Sequence, residues 1–467
     1  MKKLLIALST LIISATALFG GCFSAYVTDI VATDNGYVLI YSNGTQKVVE
    51  DSSGSSTIGD IFETTNANRI ENGLEPLTFD EFLKEYMNYS SEQIEKEASI
   101  QTAINKSLKS GVSLVVGFNN GDGTVTYSNG SGVIYQLDKA TGSAYIITNS
   151  HVVYKANAQP DGYSNDIYCY IYGQDISGVN YGLNEYNQWV DTEYQMKATI
   201  VGVAKEYDIA VLKITNSDIL KKNDVAAATF SQDEHVYVGE TAYAVGNADG
   251  EGMGVTLGII SKDSVDIYLD IDDTNNPETF YTMRTIRTDA AINGGNSGGA
   301  LYNSKGEIIG IVNSKNDDAD IDNMGYAVPA SIAKRVVKSM IDNYTGVENH
   351  YVYKALLGVY LEATSTTMQY NAEKGVTEII ETVAISEFVT TSKWLTKLKV
   401  NDVITAIRVK DKYGNVVDSA TVTRTYTVSE VLHSVRDGYT VEIDYLRSGV
   451  KGTASATYAK RELTKVS

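Results

Sequence analysis

The chain has little of what most covalent and metal chemistry depends on. Only two cysteines, Cys22 and Cys169, occur in 467 residues. They cannot build a disulfide framework, and neither belongs to a CxxC pair, so no redox or metal-thiolate role is expected. Cys169 reads as a small buried apolar residue. Histidine is scarce too: any imidazole chemistry must come from His151, His235, His350 or His433. Positive charge is in deficit, with 38 Lys and Arg against 58 Asp and Glu and a formal net charge of −20. That balance argues against nucleic-acid binding, which needs clustered cations to meet phosphates. No glycine loop feeding a lysine is present to cradle a nucleotide. The alternating acids Asp318, Asp320 and Asp322 mimic a calcium loop but lack the Gly and the closing Glu at the required spacing. No metal or cofactor is therefore expected.

Proline is nearly absent, at 4, whereas Gly (39) and Tyr (33) are plentiful. Glycine among aromatic and β-branched residues favours a mainly β fold with tight turns. The amino terminus is distinctive. Lys2-Lys3 precedes an apolar run from Leu4 to Phe19, then Gly20-Gly21-Cys22. The run is short for a membrane span. The segment 1–22 resembles a bacterial lipoprotein signal, in which Cys22 would be lipidated, although Phe19 stands where Leu is usual. This predicts an exported chain on the outer face of the cell membrane or in the cell envelope, held by a lipid anchor. No later segment is long and apolar enough to span a bilayer.

The length allows two or three domains. Residues 23–109 read as an extension, with a strand at Tyr37–Tyr41 and helix over 78–109, where Thr78 and Glu81 form a capping-box pattern and Ser91 opens a second start. From Val112 short apolar runs alternate with Gly, Asn and Asp, the pattern of a barrel or sandwich; a helix at Ser331–Asn343 closes this unit. Residues 155–195 interrupt it as a Tyr-rich insertion, in which Tyr168, Tyr170 and Tyr181 are expected on a solvated loop. A second, smaller α+β unit covers 350–460.

Peptide hydrolysis by a hydroxyl needs a nucleophile, a base, a group to orient the base, and N–H donors for the oxyanion. Ser297 lies in Gly294-Gly295-Asn296-Ser297-Gly298-Gly299, where glycines let the chain turn tightly. The same run could be a surface loop, but apolar segments flank it on both sides. Gly295-x-Ser297-x-Gly299 also fits the nucleophile elbow of α/β-hydrolases, which would require His350 or His433 as base. His151 follows the apolar run Ile146-Ile147 in a Thr148–Val153 stretch, and Asp208 opens Ile209-Ala210-Val211-Leu212, where a carboxylate can be desolvated and fixed.

Taken in order, Thr148-Asn149-Ser150-His151-Val152-Val153, Asp208–Leu212 and Thr288–Leu301 closely resemble the three catalytic blocks of the HtrA (Deg) family of trypsin-like serine proteases. The resemblance spans roughly 110–345. It implies a chymotrypsin-like double β-barrel, with His151 as general base, Asp208 as its orienter, Ser297 as nucleophile, and the N–H groups of Gly295 and Ser297 as oxyanion donors. The specificity pocket would be lined by Ala291, Ile292, Asn293, Ile311, Val312 and Asn313. With Ala291 six residues before Ser297, where a trypsin-like pocket carries Asp, small aliphatic side chains are the expected preference. Residues 350–460 resemble a permuted bacterial PDZ domain, with Leu357, Gly358 and Val359 as its peptide-binding loop and Asn401 replacing the usual Gly of a turn. The family further implies unfolded or misfolded protein substrates, carboxy-terminal peptides at the PDZ-like unit, and a homo-oligomer such as a trimer. A non-proteolytic chaperone or peptide-binding protein on this scaffold is the alternative, which the presence of all three triad residues disfavours.

Overall fold

A computed structural model describes residues 91–174, 194–274, 276, 280–315, 324–348, 351–372 and 374–466, with parts of 27–82. Cys22, Tyr181, His350 and the Asp318–Asp322 run lie outside the described residues. The chain divides into two compact units, Met1–Gln101 and Thr102–Ser467. Among the described residues no helix is long and apolar enough to cross a membrane.

The first unit contains an antiparallel sheet of β1 (Val27–Thr33), β2 (Gly36–Tyr41) and β3 (Gln46–Glu50). Thr78 and Glu81 satisfy each other reciprocally: the Thr78 N–H donates to Glu81 Oε2 at 2.8 Å and the Glu81 N–H to Thr78 Oγ1 at 3.3 Å. This is the predicted capping box. The helix expected to restart at Ser91 does so, as α1 (Ser91–Leu108).

Two closed six-stranded barrels follow. The first uses β4 (Gly111–Asn119), β5 (Val125–Asp138), β6 (Ser143–Thr148), β7 (Asp166–Ile171), β8 (Met196–Ala204) and β9 (Ile209–Ile214), closing in the order β4-β5-β6-β9-β8-β7. The second uses β10 (Thr241–Gly246), β11 (Gly254–Leu269), β12 (Tyr281–Thr288), β13 (Ala300–Asn303), β14 (Ile308–Lys315) and β15 (Gly325–Pro329), closing as β10-β11-β12-β15-β14-β13. Strand alternation fills the first barrel: Val112, Leu114, Val116 and Phe118 of β4 share its core with Ile167, Cys169 and Ile171 of β7. The opposite faces of the same two strands put Val115 against Tyr168 and Tyr170. This corrects the expectation for Tyr168 and Tyr170. They are buried strand residues rather than loop residues, because Asp166–Ile171 is a barrel strand paired with β4.

Short helices lie between the strands: α2 (Ser150–Val153) follows β6 and α3 (Asp218–Lys222) follows β9. Helix α4 (Ala330–Asp342) leaves β15 with Ile332, Ala333, Val336, Val337 and Met340 buried. That spacing is one helical face. The carboxy-terminal part pairs β16 (Val352–Ala355) with β23 (Leu463–Val466). Beside them a sheet runs β17-β18-β19-β21-β22, from β17 (Val359–Asn371), β18 (Val376–Phe388), β19 (Val403–Lys410), β21 (Thr440–Arg447) and β22 (Val450–Thr457), with β20 (Val416–Thr421) paired to β19. Helix α5 (Thr425–Val431) covers it. Trp394 is fully buried in this core, and its indole N–H donates to Tyr458 Oη at 3.0 Å. Ion pairs tie this part to the second barrel and α4. Arg335 holds Asp418 with two bonds, at 2.7 and 2.9 Å, and reaches Glu234; Arg424 reaches Asp263 at 2.5 Å.

Candidate active site

His151 is delivered by a single helical turn. Val152 and Val153 of α2 are buried, which turns His151 to the partly open side. Asp208 terminates the one-turn helix Lys205–Tyr207 in a left-handed conformation, φ 46° and ψ 46°, with its N–H donating to Lys205 O at 3.0 Å. Aspartate tolerates this region better than bulkier residues do. The side chain is completely buried, and a buried carboxylate needs donors. It has four. Oδ1 accepts from Ser150 Oγ at 2.6 Å and from the His151 N–H at 2.9 Å; Oδ2 accepts from His151 Nδ1 at 2.7 Å and from Asn313 Nδ2. Asn149 Nδ2 donates to the Asp208 carbonyl at 2.8 Å. With Nδ1–H given to Asp208, Nε2 of His151 keeps a lone pair and can act as a base. Burial would lower the imidazole pKa, but the charge and hydrogen bond of Asp208 outweigh it and hold it above the ordinary 6.5.

Ser297 lies across from this pair, in the loop between β12 and β13. Gly295 has φ +91°, and a Cβ there would lie 2.1 Å from the Asn247 carbonyl oxygen. The Gly294 carbonyl accepts from the Asp249 N–H at 2.7 Å. In a trans peptide the C=O and the following N–H point in opposite directions, so the Gly295 N–H faces away from Asp249. Among the described residues the N–H groups of Gly295 and Ser297 have no hydrogen-bond partner, whereas those of Asn296 and Gly298 are taken by Asn293 O and Val312 O. Gly298 has φ +85°, and a Cβ there would meet Ser131 O and Thr148 Oγ1 at 2.2 Å. The Ser297 hydroxyl donates to the main-chain carbonyl of Asn313 at 2.8 Å and makes no hydrogen bond to His151.

Three contributors were not identified from the sequence. Ser131, fully buried in β5, stitches the first barrel to the loop of the second. Its Oγ donates to Gly295 O at 2.6 Å and accepts from the Asn247 N–H at 2.7 Å, while its N–H donates to Ser297 O at 2.9 Å. Ser150 and Asn149 hold Asp208. Adjacency to His151 was the only available signal for these two; Ser131 offered none. Of the residues expected in the specificity pocket, Ala291 and Asn293 are exposed and Ile292 is buried in the second barrel's core. Ile311 and Val312 fall into two different cores, because successive strand residues face opposite sides. Asn313 turns its side chain to Asp208 rather than to a pocket. The run 311–313 therefore cannot present three side chains to one pocket.

In the carboxy-terminal part, Leu357 is buried, Gly358 has φ +67° and Val359 opens the edge strand β17. Asn401 has φ +70°, the left-handed turn for which Asn replaces Gly. His433 is buried beside Tyr207, and desolvation lowers its pKa to about 3; it is not placed to serve Ser297 as a hydrolase-elbow base. A cleft of about 260 Å³ lies between the second barrel and β17–β18, lined by His235, Lys374, Arg424 and Tyr426 among others. It contains neither Ser297 nor His151, and the chemistry of the side chains selects the Ser297 site instead.

The model of the trypsin-like peptidase domain matches residues 130–311. The chain is 28% identical over 369 residues to the serine protease Do-like HtrA of Lactococcus lactis subsp. cremoris, covering 75% of this chain and 77% of that one. It is 29% identical over 342 residues to the serine protease Do-like HtrA of Bacillus subtilis, covering 72% and 64%. Among solved structures it is similar to an HtrA-type protease AlgW with tripeptide, at 23% identity and TM-score 0.45, covering 78% of this chain and 97% of that one.

Proposed function

Because the chain belongs to the HtrA family of trypsin-like serine proteases and is a serine endopeptidase, we propose that Ser297 is its nucleophile, His151 its general base and Asp208 the orienter of that base. The observation that carries this reading is the buried Asp208 bonded to the partly exposed His151, facing a loop whose Gly295 and Ser297 amides have no partner among the described residues. In the reaction the Ser297 hydroxyl leaves the Asn313 carbonyl and gives its proton to His151 Nε2 as Oγ attacks the scissile carbonyl. Asp208 stabilises the imidazolium. The two free amides receive the oxyanion, and His151 then protonates the leaving amine.

The substrates are unfolded or misfolded proteins, which expose extended segments to such a site. The carboxy-terminal part acts as a PDZ-like module that takes up chain ends at Leu357-Gly358-Val359. Edge strand β17 and the positive φ of Gly358 support strand addition there. Residues 1–22 export the chain, Cys22 anchors it by lipid at the outer face of the membrane, and the working form is a homo-oligomer, such as a trimer. The test is casein cleavage by the exported form against Ser297→Ala. Turnover should fall on the order of 10⁶-fold if the triad acts as a unit; equal cleavage by both proteins refutes the assignment.

A further inference from the structure

The His151–Asp208 pair is carried by two very short elements, α2 and the turn Lys205–Tyr207. Neither is long enough to hold its own geometry, since one hydrogen-bonded turn is unfavourable in isolation. The bonds from Asn149, Ser150 and His151 to Asp208 and the adjacent pairing of Thr148 with Ala210 join the two segments on one side, and a further contact braces them from outside. The loop after β11 supplies a carboxylate at this junction. Asp272 Oδ1 accepts from Lys205 Nζ at 2.6 Å and from Tyr154 Oη at 3.0 Å, and Oδ2 accepts from Tyr281 Oη at 3.0 Å. Tyr154 is the residue that ends α2, three after His151. Lys205 begins the turn that ends at Asp208, three before it. Lys205 Nζ also lies 4.7 Å from the Tyr154 ring centroid, and that ring packs on Tyr163 at 4.9 Å. The Lys205 and Asp272 side chains are only 16% and 27% exposed, so the pair is partly shielded from water.

We propose that Asp272 is a positioning residue for catalysis: it clamps Tyr154 to Lys205 and thereby sets the distance and angle between the segments bearing His151 and Asp208. The inference rests on the reading of those two residues as base and orienter. It touches no substrate atom and acts only through the two segments. A second-barrel loop thus governs a catalytic pair that belongs entirely to the first barrel. Burial together with Asp272 pushes the Tyr154 hydroxyl up to about 12, so it remains a donor across the working pH range.

The experiment compares wild type, Asp272→Ala, Asp272→Asn and Ser297→Ala on casein and on a fluorogenic peptide. Asp272→Ala should lower kcat by about 10- to 100-fold, the penalty of a misplaced catalytic group, with KM held within about twofold. Asp272→Asn retains an acceptor for Lys205 and Tyr154 and offers Tyr281 a donor, so it should recover to within about threefold of wild type. Wild-type kcat in Asp272→Ala overturns the proposal, and so does an Asn variant as impaired as the Ala variant. If Asp272→Ala does not fold, Tyr154→Phe removes a single hydrogen bond. Its expected loss is about two- to tenfold in kcat, and an unchanged kcat there overturns the proposal. Residual cleavage by Ser297→Ala would refute the nucleophile itself. An inactive Ser297→Ala beside a fully active Asp272→Ala refutes only the clamp.

Discussion

Gly295→Ala isolates the oxyanion loop from the rest of the machinery. The new Cβ would lie 2.1 Å from the Asn247 carbonyl oxygen and 3.1 Å from the Asp249 nitrogen. Backbone atoms, not a flexible side-chain end, are the obstacle. Restoring an ordinary contact demands a shift of about 1 Å in one of the two loops. The backbone adds its own resistance, because φ +91° costs an L-residue about 1–3 kcal/mol. The cheapest relief is to rotate the Gly294–Gly295 peptide, which breaks the bond from Asp249 to the Gly294 carbonyl and turns the Gly295 N–H out of the site. Losing one oxyanion donor costs about 2.7–4 kcal/mol, or about 100- to 1,000-fold in kcat. KM should change little, since ground-state binding does not use this donor. The assay is steady-state cleavage of a fluorogenic peptide, with phosphonylation of Ser297 read in parallel to count folded sites. A Gly295→Ala enzyme with kcat within about threefold of wild type would refute the reasoning, because the steric conflict leaves no room for an undisturbed donor.

Further outcomes follow from the same geometry. The pKa of His151 is held above 6.5 by Asp208, and the base works only when neutral. The acid limb of kcat/KM should therefore have its midpoint above 6.5, with activity rising through it; a midpoint at or below 6.5 contradicts the Asp208 contact. Asn313→Ala removes one of four donors from a buried carboxylate while leaving the carbonyl that accepts from Ser297. The expected cost is about 1–3 kcal/mol, measured as lowered kcat together with a lowered unfolding midpoint. Arg335→Ala strips a buried guanidinium, 3% exposed, from Asp418 and Glu234. A loss of about 3–5 kcal/mol in urea unfolding is expected. Asp418 is held below its ordinary 3.8, mainly by Arg335 against the opposing effect of burial. Its contribution to stability is therefore present above that value and disappears as pH falls below it, and the Arg335→Ala penalty should shrink in acid.

What could be read from the sequence was local. The αL position of Asn401, the capping box of Thr78 and Glu81, and Asp208 at the mouth of an apolar strand each depend on a few neighbours. The apolar runs between turn residues pointed only to a barrel or sandwich; the double barrel was legible through the resemblance of the three blocks around His151, Asp208 and Ser297. Strand β7 is masked by the Tyr-rich stretch around it, although Ile167, Cys169 and Ile171 alternate with Tyr168 and Tyr170. Ser131 was invisible for a different reason. A serine between two glycines carries no pattern, and the three bonds that fasten it to the second barrel reach residues more than 100 positions away. Asn313 lay in the right strand, but strand periodicity alone could not tell which neighbour its amide would meet.

The contacts of Ser131 also bear on how the chain is made. His151 and Asp208 are synthesised well before Ser297, and the barrel that carries Ser297 closes only when β15, ending at Pro329, has joined β12 and β14. Until then Ser131 has no loop to fasten and the loop has no anchor. A growing chain that stops short of β15 thus carries the His151–Asp208 segments without an anchored Ser297 loop. The proposed site is therefore complete only once the second barrel has closed, although its His151–Asp208 half lies wholly in the earlier barrel and the strands from β16 onward are still to be added.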